Sequence, residues 1–217
     1  MKKSTYAVFG LGAFGSRLAV ELSRAGNDVV AVDLDADRVN EIRDEVAEAL
    51  VADVSSEEVI RELNVAKFDA VILGMSSHFE AQILTLTLLR QEGAKRIFAK
   101  AGTRIQERIL YRLGADEIIL PEQDVAERLS RRLSLDNISD FFIFKGQAIA
   151  EVIVPEKLAG KSLRELALRN RYNITVLTIG HGGGSPETVF DPETVLETGD
   201  QLTVFGNQKS IIELFKD

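Results

Sequence analysis

The sequence predicts an α/β protein with a doubly wound parallel sheet, followed by a smaller α+β domain. Three observations lead to this prediction. Short apolar runs alternate with amphipathic stretches in the first part of the chain, a glycine-rich turn follows the first run, and the alternation becomes irregular after Asn137. We therefore expect two domains, at residues 1–137 and 138–217.

Six apolar runs in the first domain have the pattern of buried strands. They are hydrophobic at successive positions, which is typical of strands that helices cover on both faces. The runs are Tyr6–Phe9, Val29–Val32, Ala49–Val51, Ala70–Leu73, Arg96–Ala99 and Glu117–Leu120. Helical patterns lie between or after them at Phe14–Ala25, Ser77–Glu92, Arg104–Leu113 and Pro121–Leu135. Alternating strands and helices predict right-handed crossovers and a parallel sheet.

The second domain shows a less regular order of elements. Its expected strands are Phe141–Phe144, Ala150–Val154, Ile174–Ile179 and Gln201–Phe205, and its expected helices are Leu163–Arg169 and Ser210–Phe215. A unit of about 80 residues is near the lower end of what folds alone, so we expect it to gain stability by pairing with a copy of itself.

The composition excludes several classes of protein. The formal net charge is −8, which disfavours nucleic-acid binding because phosphate neutralisation needs a surplus of Lys and Arg. The absence of cysteine excludes disulfides and thiolate metal sites. No apolar run approaches the roughly 18 residues of a membrane span, and the basic N-terminus leads directly into a strand pattern. We expect a soluble, cytoplasmic protein.

The turn after the first strand has the sequence Gly10-Leu11-Gly12-Ala13-Phe14-Gly15, a G-x-G-x-x-G pattern at the start of a helix. Gly10 permits the tight turn, Gly12 lets the backbone approach a pyrophosphate, and Gly15 lets the helix pack closely on the strand. Backbone N–H groups at the helix start then face the phosphates. Because a strand precedes the motif and a helix follows it, we expect a Rossmann-like nucleotide-binding domain.

Acidic residues after the next two strands fit the same interpretation. Asp33 ends the second strand 18 residues after Gly15, close to the spacing of about 20 that is typical of a ribose-binding carboxylate. A carboxylate there binds a ribose diol and repels a 2′-phosphate, which favours ligands with a free 2′-hydroxyl over NADP. Asp53 follows the third strand, where it either caps a helix or contacts adenine.

Few residues suggest catalysis. Lys100 ends the fifth strand at the ligand edge, where it either neutralises phosphate or is simply solvated. His78 either approaches the nucleotide or starts a helix, and His181 lies in a glycine-rich loop that we expect to be exposed. Glu122 begins a helix, where the helix dipole alone favours a carboxylate. The sequence contains no His-Glu-x-x-His, Gly-x-Ser-x-Gly or P-loop motif, so we assign no catalytic residue.

The order of these motifs resembles the RCK (KTN) regulatory proteins of the Ktr and Trk potassium-uptake systems. The matching stretches are Phe9–Gly15, Val30–Asp33, Gly114–Ile119 and Pro121–Asp124 in the first domain, and Leu158–Leu163 and Gly199–Leu202 in the second, or TrkA-C, domain. The resemblance covers essentially the whole chain.

The resemblance implies a non-enzymatic gating subunit on the inner face of the cell membrane. Such proteins form dimers and octameric rings beneath a membrane-embedded potassium-transporting subunit. The ligand is ATP or ADP, or in some members NAD or NADH, and it binds the glycine loop, which includes Ala13 and Phe14. By this resemblance Asp33 binds ribose, Lys100 approaches phosphate, and Glu122 holds a divalent cation such as Mg²⁺ or Ca²⁺.

Two details of the resemblance leave alternatives open. ATP-responsive Ktr members often carry Arg where this chain has Ala13, which makes NAD or NADH more plausible here unless Arg17 substitutes. Some relatives bind cyclic di-AMP in the second domain, and Leu163, Arg164, Arg169 and Asn170 lie in the matching region. Those four residues either contact such a ligand or form a solvated helix face.

Other functions also fit the glycine motif. A small NAD-dependent dehydrogenase would share it but would need a general acid, for which only His78 and Lys100 are candidates. An NAD(H)-sensing regulator would share it as well. A DNA-binding regulator is disfavoured by the acidic charge.

Overall fold

The computed structural model describes residues 3–75, 78–135, 137–144, 146–182, 184–188 and 191–216. The chain divides into two compact units, Met1–Glu122 and Gln123–Asp217. This division lies fifteen residues before the boundary expected near Asn137, because one helix, Pro121–Ser134, runs across it. The sequence-based boundary therefore stays a prediction about the limits of the domains.

The first unit contains a six-stranded parallel sheet. Its strands are β1 (Thr5–Phe9), β2 (Asp28–Asp33), β3 (Glu48–Val51), β4 (Ala70–Leu73), β5 (Ile97–Lys100) and β6 (Glu117–Ile119). Their order across the sheet is β3-β2-β1-β4-β5-β6, and each neighbouring pair is parallel. Strands β1 to β3 are added in one direction across the sheet, and strands β4 to β6 are added in the other, starting beside β1. Ligands of such folds bind at this switch point between β1 and β4. The predicted Rossmann-like fold is confirmed.

Helices cover both faces of this sheet. They are α1 (Ala13–Arg24), α2 (Ala36–Ile42), α3 (Glu57–Glu62), α4 (Phe79–Gln91) and α5 (Arg104–Arg112), and α6 (Pro121–Ser134) follows. Val8 and Phe9 are neighbours on β1 and both are fully buried, yet they belong to different hydrophobic clusters. Successive side chains of a strand point to opposite faces, so the continuous apolar runs do mark a sheet buried on both sides.

The second unit contains a four-stranded antiparallel sheet. Its strands β7 (Ile138–Phe144), β8 (Gln147–Ile153), β9 (Ile174–Gly180) and β10 (Gln201–Asn207) are arranged in the order β7-β8-β10-β9. The helices are α7 (Leu163–Leu166), α8 (Leu168–Tyr172) and α9 (Gln208–Phe215). We expected a single helix at Leu163–Arg169, but Ala167 adopts φ +45° and separates two short helices.

Ser162 caps the start of α7 with a capping box. Its hydroxyl accepts a hydrogen bond from the Glu165 N–H, and the Glu165 carboxylate accepts one from the Ser162 N–H. The interior of this unit is aliphatic, with Phe141 and Phe215 as its buried aromatic side chains among the described residues. Of the helices that the structure describes, none is long and apolar enough to cross a membrane.

Candidate functional site

Three glycines pack against one another where β1, α1 and β4 meet. Gly10 has φ +91°, a conformation that L-residues with side chains rarely adopt, and its N–H donates to Val32 O at 2.8 Å. A Cβ on Gly15 would lie 1.9 Å from the carbonyl oxygen of Gly10, and one on Gly74 would lie 2.7 Å from the same atom. These contacts leave no room for side chains, and they fix the turn that precedes α1. Gly74 was not predicted as part of the site, although it is a glycine that directly follows an apolar strand pattern.

Gly12 has a different environment. It lies before α1 in an extended conformation, and a Cβ built on it would meet nothing within 4 Å. The first turn of α1 carries no acidic side chain, so nothing on the helix offsets the positive end of its dipole. Open space in front of an uncompensated helix start suits a phosphate group.

The next two residues of the loop have different environments. Ala13 is the exposed first residue of α1, whereas Phe14 is half-buried and packs against the core. Arg17, the possible substitute for an Arg at position 13, is paired along the helix with Glu21, with 2.8 Å between Nη2 and Oε1. Its guanidinium therefore already has an anionic partner on its own helix.

Asp33 connects β2 to the glycine loop. Its Oδ2 accepts from the Leu11 N–H at 2.5 Å and its Oδ1 accepts from the Asp35 N–H at 2.9 Å. The side chain is 11% exposed, with Arg38 Nη1 at 3.9 Å from Oδ2. A carboxylate accepts about four hydrogen bonds, so Asp33 retains acceptor capacity for ribose hydroxyls after holding the loop. The loop-holding role was not apparent from the sequence.

Asp53 is exposed after β3. Its Oδ1 accepts from both the N–H and the hydroxyl of Ser55, at 2.9 and 2.6 Å. This is a local turn role. The residue at the start of α3 is Ser56, so Asp53 does not cap that helix, and the adenine contact remains a prediction.

Lys100 and Glu122 pair directly at the carboxyl edge of the sheet. Lys100 Nζ lies 2.5 Å from Glu122 Oε1, and the two side chains are 13% and 67% exposed. The hydrogen bond from Lys100 is the main reason that the pKa of the Glu122 carboxyl is lowered, and the backbone N–H of Glu122 adds to that effect. Lys100 was expected to approach phosphate and Glu122 to hold a cation, and their direct pairing was not predicted.

A buried amide supports the end of β5. Gln82 on α4 is fully buried, and its Nε2 donates to the backbone carbonyl of Lys100 at 2.8 Å, while its Oε1 has no hydrogen-bond partner. Gln82 was not predicted as part of the site. The helical spacing of Gln82 with Leu86 and Leu89 places it on the buried face of α4, and this spacing could have indicated a buried amide.

Within the part of the chain that the structure describes, no group of three or more His, Asp or Glu side chains is arranged to hold a metal ion. Glu122 alone supplies one carboxylate. A cation at this position would need further ligands, from a bound nucleotide, water or a second copy of the chain. The assignment of a divalent cation to Glu122 therefore stays a prediction.

The residues expected to bind cyclic di-AMP lie on α7 and α8. Arg164 pairs with Glu193, with 2.7 Å between Nε and Oε1, so its charge is already compensated. Leu163 is half-buried and Arg169 is exposed. Asn170 lines a surface cleft of about 680 Å³ together with residues of α9. This ligand also stays a prediction.

The two histidines have distinct surroundings. His78 is exposed immediately before α4. His181 is half-exposed, and its Nδ1 lies 2.9 Å from Oδ2 of Asp200, a buried carboxylate that also accepts from the Glu197 N–H. His181 thus closes one end of the loop before β10, a role that the expected exposure did not reveal.

Comparison with known proteins gives consistent matches. The TrkA-N domain family matches residues 6–121 and the TrkA-C domain family matches residues 149–217. The chain is 36% identical to Ktr system potassium uptake protein A of Vibrio alginolyticus, over 97% of this chain and 96% of that protein. It is 32% identical to Ktr system potassium uptake protein C of Bacillus subtilis, over 96% and 95%.

Solved structures show the same fold. The GsuK RCK domain matches with a TM-score of 0.66 and 18% identity, over 100% of this chain and 48% of that chain. The GsuK channel bound to NAD matches with a TM-score of 0.65 and 19% identity, over 98% of this chain and 39% of that chain.

Gly12 and Gly15 give different predictions for substitution by alanine. We expect Gly15→Ala to lower the free energy of unfolding by about 2–4 kcal/mol, because its methyl group would overlap the carbonyl oxygen of Gly10. Gly12→Ala, the matched control, should stay within about 1 kcal/mol of the parent chain, because its methyl group meets open space. Urea denaturation of both variants checks this, and equal losses would contradict the described packing.

Proposed function

The chain belongs to the family of proteins built from TrkA-N and TrkA-C domains, and we propose that it is a cytosolic, nucleotide-binding regulatory subunit of a potassium-uptake system. In this proposal nucleotide exchange changes the shape of a ring assembly and thereby gates a membrane-embedded potassium-transporting subunit. The protein acts as a ligand-controlled switch and not as an enzyme.

Full-length similarity to Ktr system potassium uptake proteins is the observation that carries this proposal. The match extends over both domains and over nearly all of each relative, at 36% and 32% identity. A dehydrogenase would instead need a substrate domain and a general acid or base, and of the two candidates from the sequence His78 is exposed before α4 and Lys100 is ion-paired with Glu122. Potassium-uptake regulation is therefore the better supported function.

The site geometry supports an adenine nucleotide as the ligand. Gly12 offers open space at the start of α1, and Asp33 holds the loop while retaining acceptors for a ribose diol. We propose ATP and ADP, or NAD and NADH, as the ligand pair. Ala13 offers no charge to a terminal phosphate. Arg17, the arginine in the first two turns of α1, is already paired with Glu21.

An exposed apolar stripe on α6 supports self-association. Val125, Leu129 and Leu133 lie four residues apart on one face of the helix and are 59%, 49% and 75% exposed. Contiguous exposed apolar surface is typical of interaction sites, and spacing of this kind suits helix pairing. We propose that α6 pairs with a second copy of the chain, and that such dimers assemble into the ring, for which an octamer is the expectation.

The switch requires that two ligands distinguish two shapes of the assembly. A ligand shifts an equilibrium only by its differential affinity for the two states, and allosteric couplings are typically about 1–3 kcal/mol. Glu122 is the second residue of α6 and lies beside the end of β5, and the apolar stripe runs along the same helix from Val125 to Leu133. In this proposal α6 therefore transmits a change at the nucleotide edge to the contact between copies.

A carboxylate at Gly12 should abolish the nucleotide response. We expect Gly12→Asp to weaken nucleotide binding at least about tenfold, because the new charge would face the phosphates while the open space allows the chain to fold. Calorimetry measures binding, and potassium flux in proteoliposomes that contain the transporting subunit measures the response. Gly12→Ala is the control. An unchanged response of flux to nucleotide in Gly12→Asp would contradict the proposal, and turnover of NADH by the purified chain would favour a dehydrogenase.

A charge within the α6 stripe should dissociate the assembly. We expect Leu129→Asp to lower the mass measured by light scattering to that of smaller species, because it would bury a carboxylate between two helices. Leu34→Asp is a matched control at a residue that is 67% exposed outside α6, and it should leave the mass unchanged. Retention of the parent mass by Leu129→Asp would show that copies associate through another surface.

A further inference from the structure

The Lys100–Glu122 ion pair joins two residues that the family resemblance relates to ligand binding, Lys100 to phosphate and Glu122 to a divalent cation. Lys100 is the last residue of β5, its side chain is only 13% exposed, and its ammonium is in contact with the Glu122 carboxylate. Glu122 is at the second position of α6 and is 67% exposed. One partner is thus almost enclosed at the edge of the sheet, and the other has free access to solvent.

The backbone at Lys100 is held from two sides, by β6 and by α4. Lys100 pairs with Ile119 in the sheet, the Ala101 N–H donates to Ile119 O at 2.9 Å, and Gln82 Nε2 donates to the Lys100 carbonyl at 2.8 Å. The strand end therefore cannot shift easily. The side chains are freer than this backbone. Glu122 can leave the ion pair by rotating into solvent, and the Lys100 ammonium can then pair with another anion.

The strand spacing sets the separation between Lys100 and the glycine loop. Strands are about 4.8 Å apart, and β5 is two strands from β1, so the ends of these strands are separated by roughly 10 Å. An extended lysine side chain reaches about 6 Å from its Cα. A phosphate bound in front of the loop on the β5 side would lie within that reach. Lys100 then has two alternative anionic partners, the Glu122 carboxylate and the ligand phosphate.

We propose that Glu122 is an internal competitor of the ligand phosphate for Lys100, and so determines how strongly the site prefers phosphate-bearing ligands. The proposal rests on the proposed nucleotide site. In the unliganded protein the carboxylate occupies the ammonium that the phosphate would use. Binding must first break this pair. The apparent affinity for a phosphate-bearing ligand is therefore the intrinsic affinity multiplied by the fraction of molecules in which the pair is broken. Adenosine carries no phosphate and does not meet this competition.

The test removes the competitor while keeping the shape of the side chain. Calorimetric titration of full-length Glu122→Gln with ADP, in EDTA to exclude divalent cations, should show affinity about threefold to tenfold higher than in the parent chain, the range expected if a partly exposed pair forms in most molecules. Adenosine affinity should stay the same. Asp124→Asn is the matched control, because it removes an equal charge from the same helix turn at an exposed residue.

A double variant separates competition from a general change in charge. In Lys100→Met the gain from Glu122→Gln should disappear, because no ammonium remains to be released. The inference is overturned if Glu122→Gln binds ADP no better than the parent, if Asp124→Asn gives the same gain, or if the gain persists in Lys100→Met. If the parent chain binds neither ADP nor adenosine, the proposed nucleotide site itself fails. The two failures are thus distinguishable.

Discussion

The close packing of Gly15 and Gly74 against the carbonyl oxygen of Gly10 is the constraint on which the rest of the nucleotide edge depends. It brings β1, α1 and β4 together at the switch point of the sheet. Because no side chain fits there, the loop takes one path, and that path leaves Gly12 open and presents the N–H of Leu11 to Asp33. The proposed positions of the phosphate and of the ribose therefore both depend on one contact.

Much of this arrangement could be predicted from local patterns. Continuous apolar runs such as Ala70–Leu73 predicted strands buried on both faces, and the glycine spacing predicted the tight turn between β1 and α1. These patterns succeed because they are short-range consequences of backbone geometry. The division of the chain after Glu122 was not predicted, because helical periodicity does not show which unit a connecting helix joins.

The features that escaped prediction depend on contacts between distant residues. Lys100 and Glu122 are 22 positions apart, and only the parallel pairing of β5 with β6 brings them together. Gln82 supports the same strand end from α4, at the cost of one unpaired buried oxygen. The break at Ala167 depends on a left-handed conformation that alanine seldom adopts. No propensity in a single sequence encodes such pairings.

The central claim is that the carboxyl edge of the parallel sheet binds an adenine nucleotide whose 2′-hydroxyl is free. Its most direct test is calorimetric titration of the nucleotide-free full chain with ATP, ADP, NAD and NADH, and then with the 2′-phosphorylated counterpart of the tightest ligand. The account predicts saturable binding by at least one of the four, and a counterpart at least about tenfold weaker because its phosphate would meet the Asp33 carboxylate. Absence of binding by all four, or equal affinity for the counterpart, would contradict it.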